Sequence, residues 1–525
     1  MINIPNIKST NKLFVLAFSL LVLASSCKKD PKTSPAPITT PVAATRAELT
    51  MDSIFLYAKE TYYWNDGMPT YDVYKPRTYS SNDVLLNAIR ALPGTNKPFW
   101  TTSSDPTPRE KYSFLDDGSV SSELGGVSGD YGFSVFYKSV EGYPKDDLRI
   151  KYVSPNSPAA LKSIKRGYKV IKLNGKSDLT LNADNDPNLN YVGNAIFGSA
   201  LSVSMTVQKP DGTMEDITIS RAGYSNDPIF YTHIYPVGSK KVGYIVYNSF
   251  TTNSRDALKA KFVDFATQDI TELIVDLRYN GGGSVATADL FTNLIAPVSV
   301  TGSTMYTTYW TKTMQDGQAK ILSNQPLLDA QGKLRPFTGG VNGVYATYAD
   351  IDYKPDADGN VEHFKKEGSA SISKVYFLVL SGTASASELL INNLKGVMAS
   401  DVKLIGRQTY GKPVGFFAIH IDKLDLYIPQ FETKNSKNEG GYYTGMTVDY
   451  SISDDVTKDF GDPTEALLAA ALYYSEKGTF ALSKQGNTIS SINTMSDSEA
   501  RHLTNELDKH IFKGMIDDKL KLKRK

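Results

Sequence analysis

The chain has 525 residues, 41% of them hydrophobic and 22% charged, a composition typical of a folded protein. At about 150 residues per domain, this length predicts roughly three or four domains. The net charge is +1, so no broad basic field indicates binding to nucleic acid, and the single cysteine, Cys27, excludes an intramolecular disulfide and a cysteine-based metal site.

The first residues have the pattern of an export signal. Two lysines precede an apolar run over residues 13–24, and small residues lead from it to Cys27. This arrangement resembles a bacterial lipoprotein cleavage site, which implies a signal peptide over 1–26 and lipidation of Cys27; an uncleaved anchor is the alternative. Residues 27–44 are expected to form a flexible tether. We therefore expect an exported protein that is lipid-anchored in the bacterial cell envelope.

Two helices are predicted after the tether. Thr45 and Glu48 form a capping-box sequence that predicts a helix through about Tyr62. Apolar residues at helical spacing over 85–92 predict another. Residues 45–115 are therefore expected to form a small helical domain.

Residues 120–222 alternate like a small β domain, with a short helix predicted at Ser157. This pattern resembles a PDZ domain, which implies a groove that binds an extended peptide by strand addition and captures its terminal carboxylate in backbone N–H groups. The alternative is an ordinary small β domain. The carboxylate-binding loop that the resemblance implies comprises Tyr131, Gly132 and Phe133.

A glycine-rich turn follows a buried strand predicted over 273–277. The strand runs into Gly281, Gly282 and Gly283, which permit unusual dihedral angles and close backbone approach. A helix is expected from about Ser284. This is either an ordinary turn between strand and helix, or a loop whose N–H near Gly282 stabilises negative charge. A phosphate loop is disfavoured because no Gly-Lys-Ser/Thr sequence follows.

A second buried strand, predicted over 375–380, turns into a helix at Ser385. The same geometry carries the nucleophile of other serine hydrolases, and the Ala386 N–H at the helix start can stabilise an oxyanion. Ser385 and Glu388 also form a capping-box sequence, which alone indicates only a helix start. Lys412 lies in a Gly-Lys-Pro loop, where burial would lower its pKa enough for it to take a proton from a serine.

Three strings in this order, DLRYNGGG, SGTASASE and LIGRQTYGKPVG, resemble the C-terminal-processing (tail-specific) serine peptidases. The resemblance implies an α+β and α/β multidomain fold, with an N-terminal helical region, a PDZ-like β domain and a mixed αβ peptidase core like that of ClpP and crotonase. It implies that Ser385 is the nucleophile and Lys412 the general base, with oxyanion donors on the backbone of Gly282 and Ala386.

The chain departs from this family pattern in two places. Phe416 stands where many members have a glutamine that orients the lysine. The stretch before the lysine is also about two residues longer than usual, and a loop near 399–401 is expected to take up the difference.

Three further segments complete the predicted organisation. The peptidase core is expected over 223–480, and within it the polar segment 304–372 is a lid, a partner surface or a tolerated insertion. Residues 481–525 predict an amphipathic helix with a basic end, most simply solvated and alternatively at a membrane surface. His420 lies in an alternating strand, and no motif links it to a catalytic triad. We expect no metal and no cofactor.

These patterns together predict an extracytoplasmic serine endopeptidase with a Ser-Lys dyad. It would cleave polypeptides whose C-terminal end the PDZ-like domain holds. Its expected partners are that polypeptide and, through the lipid anchor, a membrane, with no nucleic acid. The rival is a catalytically weak or inactive lipid-anchored protein of the same fold that binds a peptide or another ligand. Hydrolysis of a non-peptide ester would use the same chemistry.

Overall fold

The computed structural model describes residues 44–101, 106–138, 142–329, 332–480, 507, 512–517, 520 and 522. The predicted signal peptide, Cys27 and most of the predicted basic tail lie outside these residues, so the predictions for them are left as they stand. All the elements below belong to one compact unit, Arg46–Lys525. Within the described ranges, no helix is long and apolar enough to cross a membrane.

The N-terminal part is helical, as predicted. The Ser81 hydroxyl accepts the Val84 N–H at 3.2 Å and so caps the third helix, whose buried face includes Leu85 and Ile89. Its helices are α1 (Arg46–Thr61), α2 (Tyr71–Tyr74) and α3 (Asn82–Ala91).

A five-stranded antiparallel sheet covers most of the region for which a PDZ-like domain is predicted. Ser157 caps a short helix by accepting the Ala160 N–H at 3.2 Å, as its sequence predicts. This short helix is α5, and the elements of this part of the chain are, in order, β1 (Phe114–Asp116), α4 (Ser119–Leu124), β2 (Val127–Ser128), β3 (Phe133–Tyr137), β4 (Leu148–Val153), α5 (Pro158–Leu161), β5 (Lys169–Leu173), α6 (Pro187–Phe197), β6 (Ser202–Gln208), β7 (Met214–Ser220) and β8 (Tyr224–Ser225). The sheet order is β3-β4-β5-β6-β7.

The remaining elements form the core of the chain. In order they are β9 (Ile229–Val237), β10 (Lys240–Tyr247), α7 (Arg255–Thr267), β11 (Glu272–Asp276), β12 (Gly282–Ser284), α8 (Val285–Ile295), β13 (Thr304–Trp310), α9 (Lys312–Gln315), β14 (Val361–His363), β15 (Lys374–Val379), α10 (Ala386–Met398), β16 (Val402–Gly406), β17 (Val414–Gly415), β18 (Ile419–Ile421), β19 (Leu424–Tyr427), β20 (Phe431–Asn435), β21 (Tyr450–Ser451), α11 (Ala466–Lys477) and β22 (Gly514–Ile516).

The central sheet has six strands in the order β21-β16-β15-β11-β10-β9. All neighbours pair in parallel except β9, which pairs antiparallel with β10. Strand β11 is buried along its whole length, as expected for a parallel strand that is covered on both faces. Because β11 and β15 are parallel neighbours, the loops after their carboxyl ends leave the sheet side by side.

A second sheet has the order β14-β13-β20-β17. It includes the start of the segment 304–372, because Thr304–Trp310 is strand β13 and pairs with β20 over five residues. The part that follows packs on the N-terminal helices. There the Gln325 side chain donates to the Tyr57 hydroxyl at 2.7 Å and to the His420 carbonyl at 2.9 Å.

A buried charge network lies at the end of β11. The Arg278 guanidinium donates to the carboxylates of Asp276, Asp454 and Glu465 at 2.7–2.9 Å, and all four side chains are nearly inaccessible to solvent. Arg166, from the five-stranded unit, donates to the same Asp454 at 2.6 Å. Burial opposes the ionised form of Asp454, but the two arginines outweigh it and lower its pKa to about 2.

Replacing Arg278 with methionine should leave the buried carboxylates of this network without most of their compensating charge. We expect the free energy of unfolding to fall by about 3–5 kcal/mol. Urea denaturation followed by circular dichroism measures the change. Arg46→Met is the matched control, because Arg46 pairs with Asp422 at an exposed position. Equal effects of the two substitutions would contradict the importance of the buried network.

Candidate active site

The turn that carries Ser385 is strained and firmly held. Ser385 has φ 61° and ψ −107°, a conformation that costs energy for a residue with a side chain and that is typical of functional sites. The Thr383 hydroxyl donates to the Leu277 carbonyl at 2.7 Å, and the Ala384 N–H donates to the Asn280 carbonyl at 3.1 Å. Both bonds tie the turn after β15 to the glycine-rich loop after β11.

The glycine-rich loop lies directly against the start of α10. Gly282 and Gly283 have φ of 115° and 138°, so residues with side chains would be strained there. A Cβ atom on Gly282 would lie 3.0 Å from the Ala386 nitrogen, so the two predicted oxyanion donors are close neighbours. The Gly282 N–H donates to the Asn280 side chain at 2.9 Å, whereas the Ala386 N–H belongs to a first helical turn and has no partner inside its helix.

The carboxylate of Glu388 joins the serine turn to the lysine loop. One oxygen accepts both the Ser385 N–H and the Lys412 N–H at 2.8 Å. The other accepts the Gly411 N–H at 2.8 Å and the Thr409 hydroxyl. Burial raises the pKa of Glu388, and these four donors oppose that rise. A single buried side chain thus fixes the backbone of the predicted nucleophile relative to that of the predicted base.

Lys412 is completely buried, and its amine makes no hydrogen bond to the Ser385 hydroxyl. Nζ donates to the Lys513 carbonyl at 2.6 Å and lies 4.1 Å from the centre of the Phe416 ring. Burial is the largest influence and lowers the pKa of Lys412 to about 7, with a further lowering from the charge of Lys513. The ring of Phe416 therefore occupies a place beside the amine, and a backbone carbonyl takes the part expected of a polar side chain.

The backbone N–H groups of Ser385 and Lys412 donate to the same Glu388 carboxylate, but the two side chains are not hydrogen-bonded to each other. The Ser385 hydroxyl is 0% exposed, and Lys412 is not its hydrogen-bond partner. A proton transfer from this hydroxyl to Lys412 therefore requires the two side chains to come within hydrogen-bond distance of each other.

The predicted carboxylate-binding loop borders a cleft of about 360 Å³. Phe133 and Arg221 line it on the side of the five-stranded unit, and Gly281 lines it on the side of the core. Tyr131 instead donates its hydroxyl to the Ala200 carbonyl at 2.6 Å, and the Gly132 N–H donates to the Asp130 side chain at 2.9 Å. Of the three predicted loop residues, Phe133 therefore lines the cleft.

Other catalytic arrangements find little support in the part of the chain that is described. His420 pairs with Asp425 across the β18–β19 hairpin, and its side chain is 61% exposed. No group of three or more His, Cys, Asp or Glu side chains in the described ranges could hold a metal ion.

Three features of the site were not anticipated from the sequence. The capping-box sequence predicted that Glu388 reaches back to Ser385, but nothing in it indicated the bond to Lys412. Arg221 stands in no motif. The Lys513 carbonyl is a backbone group far along the chain, and no residue type could have signalled it.

Replacing Glu388 with glutamine should destabilise the site. One acceptor oxygen becomes an amide NH₂ group that faces N–H donors, so at least one charged hydrogen bond is lost and another contact becomes repulsive. We expect the free energy of unfolding to fall by about 3 kcal/mol, measured by urea denaturation. Glu362→Gln on the edge strand β14 serves as the control. Equal stability of the Glu388 variant and the parent would show that the four bonds do not hold the site.

Comparison with known proteins finds a similarity within the core. Residues 241–451 match the model of Peptidase family S41. This range runs from β10 to β21 and contains Ser385, Lys412 and the glycine-rich loop. A search of curated proteins finds no match.

Solved structures resemble most of the chain. A candidate S41 protease from Bacteroides fragilis has 22% identity and a TM-score of 0.56, over 81% of this chain and 97% of its own. The photosystem II D1 C-terminal processing protease has 15% identity and a TM-score of 0.41, over 78% of this chain and 93% of its own. Mature CPAF has 12% identity and a TM-score of 0.42, over 83% and 99%.

The predicted fold class is confirmed: the chain has a mixed α+β multidomain fold, with a helical N-terminal region and a sheet-rich core, that matches S41 peptidase structures. The match over residues 241–451 accordingly supports a serine-type peptidase that is similar to Peptidase family S41 in this part of the chain.

Proposed function

We propose that this protein is an endopeptidase in which Ser385 is the nucleophile and Lys412 the general base. The observation that carries the proposal is the Glu388 carboxylate, which binds the backbone of both residues in one buried site. The lowered pKa of Lys412, about 7, supports it because a neutral amine is then available near physiological pH.

The proposed reaction has two steps. Neutral Lys412 takes the Ser385 proton while the serine oxygen attacks the peptide carbonyl carbon. The C–N bond then breaks, the leaving amine receives the proton from the Lys412 ammonium, and an acyl-serine remains for water to hydrolyse. The Ala386 N–H stabilises the oxyanion, and the Gly282 N–H joins it when it is released from Asn280.

We further propose that the five-stranded unit acts as a PDZ-like domain that presents a polypeptide's C-terminal end. Its sheet and short helices are compatible with that role, and the cleft beside Phe133 leads to Gly281 of the oxyanion loop. Arg221 also lines this cleft and supplies a positive charge for a terminal carboxylate. Export and lipid anchoring through Cys27 rest on the sequence pattern of the first 27 residues.

One observation favours a second candidate, a protein of this fold that binds a peptide without cutting it. The Lys412 amine is bound to a carbonyl, and Phe416 offers no hydrogen bond that would direct it toward Ser385. Activity measurements separate the two candidates.

Substituting either member of the proposed dyad should abolish peptide cleavage. Ser385→Ala removes the nucleophile and Lys412→Ala removes its base, so we expect each to lower kcat by about 10⁴-fold or more. Cleavage of a fluorogenic peptide library by the purified protein measures this. Ser323→Ala and Lys320→Ala, at exposed positions of the core, are the matched controls. Full activity in either dyad variant would disprove the mechanism, and no cleavage by the parent protein or by any variant with an accessible Ser385 would favour the binding function.

The pH dependence of cleavage should report Lys412. Because the amine must be neutral to take a proton, kcat/KM should rise about tenfold per pH unit at low pH and level off above about pH 7. Initial rates between pH 5 and 9, with a peptide that lacks ionisable side chains, measure the profile. A profile that levels off below pH 6, or that rises only near pH 10, would contradict the assignment of the base.

A further inference from the structure

One segment from late in the chain lies inside the site. Residues Phe512–Asp517, which we call the 512–517 segment, run between the oxyanion loop and the strand that follows Lys412. Its strand β22 pairs in parallel with β12, with Gly514 opposite Gly282. On the other side, the Phe416 N–H donates to the Met515 carbonyl at 3.0 Å. The segment thus adds as a strand between the two elements that carry the predicted catalytic groups.

The 512–517 segment contacts the groups that a substrate would need. The Lys513 carbonyl accepts the Lys412 amine at 2.6 Å. A Cβ atom on Gly282 would lie 2.2 Å from the Gly514 oxygen and 3.0 Å from the Ala386 nitrogen. The Gly514 carbonyl therefore lies beside the predicted oxyanion donors, and the base is held by the neighbouring carbonyl.

The same segment also reaches the cleft beside the oxyanion loop. The Phe512 ring packs 6.3 Å from the Phe416 ring and, like Gly281, lines the cleft. Met515 is 0% exposed and belongs to the main apolar core. With the segment in place, the Ser385 hydroxyl is 0% exposed.

We propose that the 512–517 segment is an intramolecular pseudosubstrate: it fills the substrate's place as a strand parallel to β12 and has to leave before Ser385 can react. The proposal rests on the proposed function for the role of Ser385 and adds the direction of the substrate strand and a means of control. An extended polypeptide replaces the segment and makes the same backbone hydrogen bonds to the oxyanion loop. Since β22 pairs with β12 over only three residues, such exchange is feasible.

A charged residue in place of Met515 tests the proposal in the full chain. A carboxylate is strongly disfavoured at this buried apolar position, so Met515→Asp should release the segment. We expect peptide cleavage, and labelling of Ser385 by a fluorophosphonate probe, to become about tenfold faster or more than in the parent. Met515→Leu keeps the apolar contact and should stay as slow as the parent. A rate of Ser385 labelling that does not rise, together with a lower melting temperature, would overturn the proposal and make the segment a part of the structural core.

A binding measurement separates this inference from the proposed catalytic function. A fluorescent peptide with the sequence of residues 511–518 is titrated into the double variant Ser385→Ala, Met515→Asp, and anisotropy is recorded. We expect saturable binding, and loss of binding for the same peptide with aspartate at the position of Met515. Binding without cleavage in any variant would uphold the pseudosubstrate and reject the peptidase activity, whereas absence of peptide binding would overturn the inference itself.

Discussion

The buried carboxylate of Glu388 is the interaction on which the site depends. It accepts the N–H of Ser385 from one loop and the N–H of Lys412 from another, and so fixes the position of one loop relative to the other. A strained serine conformation persists only where its surroundings over-determine it. The bonds that tie this turn to the loop after β11 supply the rest of that constraint.

The sheet explains why these loops meet at all. Strands β11 and β15 are parallel neighbours, so the glycine-rich loop and the serine turn leave the same edge side by side. Arg278 then anchors the first loop to carboxylates from later in the chain, and Arg166 adds the five-stranded unit to the same network. Through Asp454, that unit is therefore anchored to the loop beside the candidate nucleophile.

Much of this could be predicted from the sequence where local chemistry determines local structure. Apolar runs identified β11 and β15, glycines identified the loop with positive φ, and the expected turn near 399–401 is present as a short 3₁₀ helix, Ala399–Asp401. Contacts between segments that are distant in the sequence could not be predicted from such local patterns. The polar composition of 304–372 gave no indication of strand β13 at its start. The partner of the Lys412 amine is a main-chain oxygen, which every residue type carries and which therefore has no sequence signature.

The burial of Lys412 also has a thermodynamic side. Its pKa is about 7 in the folded protein, against an ordinary value of 10.5 that the unfolded chain retains. Between these values the unfolded chain binds a proton that the folded one does not, so protons favour unfolding in that window and the free energy of unfolding grows as pH rises through it. The contribution of Lys412 to the free energy of unfolding is therefore least favourable at and below neutral pH. A proton acceptor that works at neutral pH is obtained here at the expense of the stability of the fold that contains it.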